Sequence, residues 1–394
     1  MNKRFLFTVL SLIVIVVIAG GAIFLAKGYR YQPDTGTFSG TGIISVSSIP
    51  DQASVYLDGH LTTATDDNIT SLPPKTYKVR IVKEGYIPWE KDIEVTQGLV
   101  SEIKATLFRS IPTIYPITYS GVDLAVLSPD NLKLMYIIPN GLEGGAVAEK
   151  KSGIWVWVMD NPGGIGLGGG EVQRQLVQSN GVDYSKASYR WSPDSTQIFV
   201  DLPERKLLLD INRLNDIPRD ITANYQATLK SWDETENKNK LTKLEQITDL
   251  TLRKTASNSA LLKWSPDETK VLYKSSDGNY KLNDLSFKRN FDLPKASSYE
   301  FLPDSKHLVM LEVAEASPKP NPSGSPVPST IKDQFTPVRI SIIEIDGTNK
   351  AEIYFGSIAP EIVVPWPDGS RLVVISSLPT QTASEPNLYG INLK

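Results

Sequence analysis

Five strings in the C-terminal three quarters of the chain share one pattern. They are LSPDNLKLMYI (Leu127 to Ile137), WSPDSTQIFV (Trp191 to Val200), WSPDETKVLY (Trp264 to Tyr273), FLPDSKHLVM (Phe301 to Met310) and WPDGSRLVVI (Trp366 to Ile375). In each, an aromatic residue or Leu leads into Pro-Asp, polar residues follow, and an apolar run of strand character comes next. Proline presets φ at the second position of a turn, Asp and Ser hydrogen-bond the turn backbone, and the run behind enters a core. Each string therefore reads as the first hairpin of a small sheet, with Pro129, Asp130, Pro193, Asp194, Pro266, Asp267, Pro303, Asp304, Pro367 and Asp368 as its structural turn residues. A sheet of that size cannot bury both faces alone. Radial stacking of such sheets does, so the repeat predicts a β-propeller over residues 112–394, with five blades, or six if a degenerate copy is present.

The prolines of the repeat lie at 129, 193, 266, 303 and 367, and this uneven spacing demands insertions. One runs over 222–250, where Tyr225, Leu229, Trp232, Leu241, Leu244 and Ile247 recur at helical spacing around the polar stretch DETENKNK, so a helix or helical hairpin projecting from the propeller is predicted. A second, over 315–333, is EASPKPNPSGSPVPSTIKD, from Glu315 to Asp333, too rich in Pro and Ser for a core and read as a mobile loop. A third is the glycine loop NPGGIGLGGG, from Asn161 to Gly170.

At the other end, Phe5 to Ala26 form an uncharged, mostly aliphatic run, FLFTVLSLIVIVVIAGGAIFLA. At 1.5 Å per residue such a run is long enough for a hydrocarbon core of about 30 Å. A transmembrane helix over 5–26 is therefore expected, with residues 1–4 cytoplasmic, a turn-rich spacer over 27–41 and the remainder extracytoplasmic. Lys3 and Arg4 precede the run and Lys27 and Arg30 follow it, so charge asymmetry favours this orientation only slightly. A cleavable signal peptide ending near Ala19 to Ala22, and a buried core helix, are the competing readings. The localisation implied is the cell membrane, single-pass.

Between these parts, Ile44, Val46, Val55, Leu57, Tyr77, Val79 and Ile81 alternate with polar neighbours, and Asp58-Gly59 supplies a tight turn. The segment SSIPDQASVYLDGHLTTATDDNITSLPPKTYKVRIVKEGYIPWEKDIEVTQG resembles a PEGA domain. The resemblance rests on the Pro50 to Ala53 turn, with Asp51 and Gln52 in place of the usual Glu and Gly, the Val-Tyr-Leu-Asp-Gly hairpin, the Leu-Pro-Pro-x-Tyr turn with Lys75 where Gly is common, and Gly-Tyr followed by Trp. It implies a small β-sandwich over 42–108, of a kind found in surface and envelope proteins and without known catalytic residues. The Trp-Ser-Pro-Asp strings, with IWVWVMD (Ile154 to Asp160) and NLYGINLK (Asn387 to Lys394), resemble the propeller repeats of the TolB and WD40-like family, which implies the fold but not one function.

The chemistry legible in the chain is sparse. Cysteine is absent, which removes disulfides, thiolate metal sites and a cysteine nucleophile. Of the two histidines, His60 falls in a hairpin turn of the first domain and His307 at the start of a propeller strand, so both read as surface residues with no triad or metal partner indicated. The glycine stretch lacks the Lys-Ser/Thr ending of a phosphate loop. A formal net charge of -3 with scattered cations argues against nucleic acid. Trp191, Trp264 and Trp366 read as packing between blades. No catalytic, cofactor-binding or metal residue is assigned and no cofactor is expected. A binding or structural role toward a protein or cell-surface glycan is expected, and the alternatives are an enzyme or sensor with a sugar or peptide site in the central channel and self-association through the helical insert.

Overall fold

The computed structural model describes residues 3–26, 29–32, 37–140, 150–159, 171–259, 261–313, 335–378 and 385–394. The proline-rich loop expected over 315–333 and the glycine loop 161–170 lie outside these residues. The chain divides into two compact units, Met1–Ile111 and Pro112–Lys394.

The first unit opens with helix α1 (Lys3–Ala26) and an antiparallel pair of short strands, β1 (Tyr29–Gln32) and β2 (Thr37–Gly40). Here the structure corrects the sequence reading. Among the described residues no helix is long and apolar enough to cross a membrane. The transmembrane segment over 5–26, the cytoplasmic assignment of 1–4 and the single-pass localisation fall together.

The β part of this unit is a two-sheet sandwich. Strand β3 (Gly42–Ile49) pairs with β6 (Asp67–Leu72) and, in parallel, with β9 (Val100–Thr106). The facing sheet has the order β5 (His60–Ala64), β4 (Ser54–Leu57), β7 (Thr76–Val82), β8 (Trp89–Glu94). Period-two alternation sends Ile44 and Val46 of one sheet and Val55, Val79 and Ile81 of the other into a shared core that Trp89 and Ile103 complete. Asp58 and Gly59 both take positive φ, 48° and 85°, in the two-residue β4–β5 hairpin, the conformation that matches strand twist there. Asp58 also accepts from the Lys78 N–H at 2.9 Å and the Lys75 ammonium at 2.7 Å, so the lysine at a position where glycine is common braces the neighbouring hairpin.

Among the described residues the second unit contains three four-stranded antiparallel sheets and one of seven strands. Blade 1 is β11 (Leu124–Leu127), β12 (Lys133–Ile138), β13 (Gly153–Val158) and β14 (Val172–Gln178). Blade 2 is β15 (Ser188–Trp191), β16 (Gln197–Asp201), β17 (Lys206–Asp210) and β18 (Arg219–Asp220). Blade 3 is β19 (Leu262–Trp264), β20 (Lys270–Lys274), β21 (Tyr280–Asp284) and β22 (Arg289–Asp292).

The seven-stranded sheet is two blades joined by one long strand, β26 (Ala351–Pro365). The first part of β26 pairs with β25 (Thr336–Glu344), beyond which lie β24 (His307–Val313) and β23 (Ser298–Phe301), making blade 4. Past a register shift between Ile358 and Val363, the same strand pairs with β27 (Arg371–Ser376), followed by β28 (Asn387–Asn392) and β10 (Ile114–Pro116), making blade 5. The outermost strand of the last blade thus comes from the start of the unit. Asn387, fully buried, secures the same junction: its Oδ1 accepts from Thr118 Oγ1 at 3.0 Å and from the Gly121 N–H at 3.1 Å. Closing the ring in this way covers the sheet faces that the two end blades of an open row would leave exposed.

Hydrophobic clusters fill the seams. One joins blades 5 and 1 through Trp366, Val373, Leu134 and Trp157, one joins blades 1 and 2 through Met135, Val156, Trp191 and Ile198, and one joins blades 3 and 4 through Leu272, Leu282, Tyr299 and Met310. The seam between blades 2 and 3 is different. There the chain inserts α2 (Tyr225–Glu245) and α3 (Leu250–Asn258), a helical hairpin that continues past the expected 222–250. Trp232 packs with Phe199, Leu208 and Ile221 of blade 2, while Leu244, Ile247 and Ala256 pack with Val271 and Tyr273 of blade 3. The hairpin therefore joins the two blades through its ends, while residues 233–242 of α2 are exposed to solvent. The helical spacing that suggested an insert also supplies its two apolar contacts, one for each blade.

Candidate functional site

The five Pro-Asp turns have one architecture. In each, a backbone N–H closes the turn onto a carbonyl three residues back: Asn131 onto Ser128, Ser195 onto Ser192, Glu268 onto Ser265, Ser305 onto Leu302 and Gly369 onto Trp366. The donor residue has positive φ every time, at 58°, 57°, 56°, 56° and 68°. The aspartate just before it accepts from the N–H two residues on, from Leu132 at 3.0 Å, Thr196 at 3.2 Å, Thr269 at 3.1 Å, Lys306 at 2.9 Å and Ser370 at 2.7 Å. In blades 1 to 3 a serine completes the turn. Ser128, Ser192 and Ser265 each donate to their aspartate at 2.5 Å, and each hydroxyl accepts from the N–H five residues on.

These contacts fix the electrostatics. Burial raises the Asp267 carboxyl, but the Ser265 hydroxyl, the Thr269 N–H and hydroxyl and the Lys270 ammonium outweigh it and hold the group far below its ordinary value. Burial opposes the same outcome at Asp130, Asp194 and Asp304, where Lys133 and Ser128, Ser192 and Thr196, and His307, respectively, bring the carboxyl down. A carboxylate pinned as an anion by its own turn is a poor proton donor near neutral pH. The structure does not bring the ten turn residues to one point either, because each pair belongs to its own blade.

His307 is corrected from a surface residue to a buried one. It is 5 % exposed, and its Nδ1 lies 2.6 Å from Asp304 Oδ2. It occupies the turn position that Lys133 and Lys270 hold beside Asp130 and Asp267 in blades 1 and 3. His60 is exposed, in the first unit. Among the described residues no group of three or more His, Asp or Glu side chains is placed to hold a metal ion.

The first strands of neighbouring blades touch one another and so lie nearest the propeller axis. Trp191 Nε1 donates to the Val126 carbonyl at 3.2 Å, and the Lys263 ammonium donates to the Tyr299 carbonyl at 3.0 Å and pairs with Glu300. Arg190, on the first strand of blade 2, is held by Asp233 at 2.7 Å and Glu236 at 3.0 Å, both from α2. At the seam of blades 5 and 1 the Arg371 guanidinium lies 3.8 Å from the ring centre of Trp366, donates to Tyr115 Oη at 2.8 Å and pairs with Glu171. Trp366 and Trp157 are themselves 4.6 Å apart. Trp264 is half-buried against the hairpin cluster.

Sequence reasoning found the prolines and aspartates of the turns and missed what the residue after each aspartate does. Ser195 and Ser305 are 1 % and 2 % exposed, and their hydroxyls accept from the Asp130 and Asp267 N–H groups of the preceding blades at 3.2 Å and 3.1 Å. The available signal was the Asp-Ser dipeptide at 194–195 and 304–305, a short hydroxyl side chain at the left-handed position of the turn.

Residues 41–111 match the PEGA domain family. This part of the chain is a PEGA domain, and it is followed by a β-propeller. No protein of curated function matches the chain. Similar solved structures include the β-propeller domain of the Trilobed protease from Pyrococcus furiosus, at 13% identity over 70% of each chain with a TM-score of 0.23. They also include a putative TolB from Agrobacterium tumefaciens, at 13% identity over 71% of this chain and 89% of that one with a TM-score of 0.21. A third is the β-propeller domain of Cps50 (Swd1) from Myceliophteria thermophila, at 9% identity over 71% of this chain and all of that one, 100%, with a TM-score of 0.25. Superpositions this loose carry no argument, and the propeller rests on its own blades.

Proposed function

We propose that the chain is a binding protein whose propeller presents a protein or glycan interaction surface, with the PEGA domain as an accompanying β-module. The observation that carries this reading is the use made of the five turn aspartates. They form the most regular acidic set in the sequence, and each is engaged by backbone N–H groups of its own turn. Their regularity is thereby explained by architecture, which leaves the loops between strands as the variable, partner-facing part of the fold.

A second reading, a small-molecule site along the axis, is favoured by the charged groups on the first strands, Lys263 with Glu300 and Arg190 with Asp233 and Glu236. One experiment separates the two. The purified chain is offered a glycan array and a panel of chromogenic glycosides and peptides, alongside Glu300→Gln. Binding without turnover supports the first reading, and turnover that Glu300→Gln abolishes overturns it.

A further inference from the structure

Strand β10 (Ile114–Pro116) lies at the outer edge of blade 5 and pairs with β28 alone, Ile114 opposite Ile391, Tyr115 opposite Gly390 and Pro116 opposite Tyr389. It is the shortest strand of that blade, and Pro116 has no N–H to give to a ladder. Just before it the chain passes from one unit to the other. The Ser110 N–H donates to the Gly85 carbonyl at 3.0 Å in the first unit, and the Thr113 carbonyl accepts from the Asn392 N–H at 3.0 Å in the second. Only Ile111 and Pro112 stand between these two bonds, and a tether that short has almost no slack.

The segment is held in two places. Tyr115 is the first. Its ring lies against Gly390, where a Cβ would come within 2.5 Å of Tyr115 Cζ, and its Oη accepts from Arg371 Nη1 at 2.8 Å. The second is Thr118, 6 % exposed, with the fully buried Asn387. Thr118 Oγ1 donates to Asn387 Oδ1 at 3.0 Å and accepts from the Leu388 N–H at 2.9 Å, and the Val122 N–H donates to the Pro386 carbonyl at 2.6 Å. Opening the second hold strands buried polar groups, whereas each backbone bond of a solvated edge strand contributes only about 0.5–1.5 kcal/mol.

The direction of the strands decides how a load falls on them. Because β10 and β28 are antiparallel, the linker to the first unit and residues 393–394 leave the pair at the same end. A pull between them opens the bonds of β10 one after another from Thr113 onward and never loads them together, which is the weak direction of a β pair. We propose that β10 is a release latch: when the PEGA domain is drawn away from the end of β28, β10 peels off as far as Thr118, where the Asn387 bonds stop it. Peeling bares the edge of β28 to an added strand and takes Tyr115 off Arg371, whose guanidinium stays on Trp366. A displacement of one unit thus becomes a change in the surface of the other, whatever the propeller binds.

The chain has no cysteine, so Glu84→Cys and Lys394→Cys supply two unique handles for optical tweezers on the full chain. Glu84 is exposed and adjoins Gly85, which holds Ser110. On slow pulling the first event should be a reversible step of about 3 nm, the freed segment from Thr113 to Ile117 plus the length of strand it lay along. A blade or the PEGA domain giving way would release more than about 10 nm. Tyr115→Ala should lower the force of the short step, and Tyr115→Phe, which keeps the ring on Gly390, should lower it less. Thr118→Val should leave the short step unchanged and lower the force of the event after it. A first event longer than about 10 nm, or a short step that Tyr115→Ala does not weaken, overturns the proposal.

Discussion

The Asp130 N–H donates to Ser195 Oγ at 3.2 Å and so ties the first turn of blade 1 to the first turn of blade 2. The same bond recurs from Asp267 to Ser305 between blades 3 and 4, at 3.1 Å. Between blades 2 and 3 the corresponding position is Glu268, whose carboxylate reaches the hairpin instead, and between blades 4 and 5 it is Gly369, which has no side chain to offer. The serine staple thus appears at two seams where blade meets blade directly. Ser195→Ala removes the acceptor of this part-buried bond, so a loss of about 0.5–1.5 kcal/mol is expected in equilibrium denaturation followed by tryptophan fluorescence. Ser195→Gly should lose less, because it also relieves the left-handed φ. Equal stability of Ser195→Ala and the parent would remove the staple's energetic role.

Gln52 gives a test in the first unit. It has φ 55° in the tetrapeptide turn Pro50 to Ala53, at a position where the PEGA pattern places glycine. A side chain there costs about 1–2 kcal/mol relative to an ordinary conformation, partly offset by the greater freedom glycine loses on folding. Gln52→Gly should therefore stabilise the PEGA domain by roughly 0.5–1 kcal/mol. Thermal denaturation read on that domain decides the matter, and a lower melting temperature would mean that the glutamine side chain makes a contact worth more than the strain.

What the sequence revealed and what it concealed follow from the range of the interactions. Turns are local, so Pro129 to Asp130 and its four counterparts mark the first hairpin of every blade, and strand alternation around Val55 and Val79 marks the sandwich. The seam partners are not local. Nothing in DETENKNK says that Trp232 on one side of it meets blade 2 while Leu244 on the other meets blade 3, because a helix spaced for two small contacts looks much like one spaced for a single weak face. His307 was misjudged for a related reason. Its burial depends on its pairing with Asp304 within the packed ring, where the equivalent positions in blades 1 and 3 carry lysine. The apolar run at Phe5 to Ala26 was read from length and hydropathy alone, and the described helix does not meet the span it implied.

The turn carboxylates set the direction of the acid response. Asp130, Asp194, Asp267 and Asp304 are all held below their ordinary value of 3.8 in the folded chain. A depressed folded value means that the unfolded chain takes up protons first, so the stabilisation is fully present above the unfolded value and is lost as pH falls toward and through the folded ones. Stability should be flat above about pH 5 and decline steadily below about pH 4. Asp267→Asn, which keeps the shape but not the charge, should be less stable than the parent at pH 7 and show a shallower decline in acid. Urea midpoints measured from pH 7 to pH 3 test both halves, and parallel curves for parent and variant would show that this carboxylate does not contribute.

The hairpin in the seam of blades 2 and 3 makes the sharpest mechanical prediction. A projecting insert could be removed without harm, whereas a hairpin between two blades cannot, because its removal exposes Phe199 and Leu208 on one side and Val271 and Tyr273 on the other. Replacing residues 225–258 with a short glycine-serine linker should yield a propeller that aggregates or melts far below the parent. A smaller change separates packing from chain connectivity. Trp232 is 9 % exposed and contacts blade 2, so Trp232→Ala should cost about 3–5 kcal/mol, while Trp232→Phe, which keeps most of the ring contact, should cost much less. Arg190→Met probes the polar side of the same contact. It frees Asp233 and Glu236, which are both well exposed, so its loss should be modest and should shrink at high salt. Denaturation midpoints of the three single variants, ordered Trp232→Ala well below Arg190→Met and Trp232→Phe, would establish that apolar packing holds the hairpin in its seam, and the reverse order would assign that task to the ion pairs.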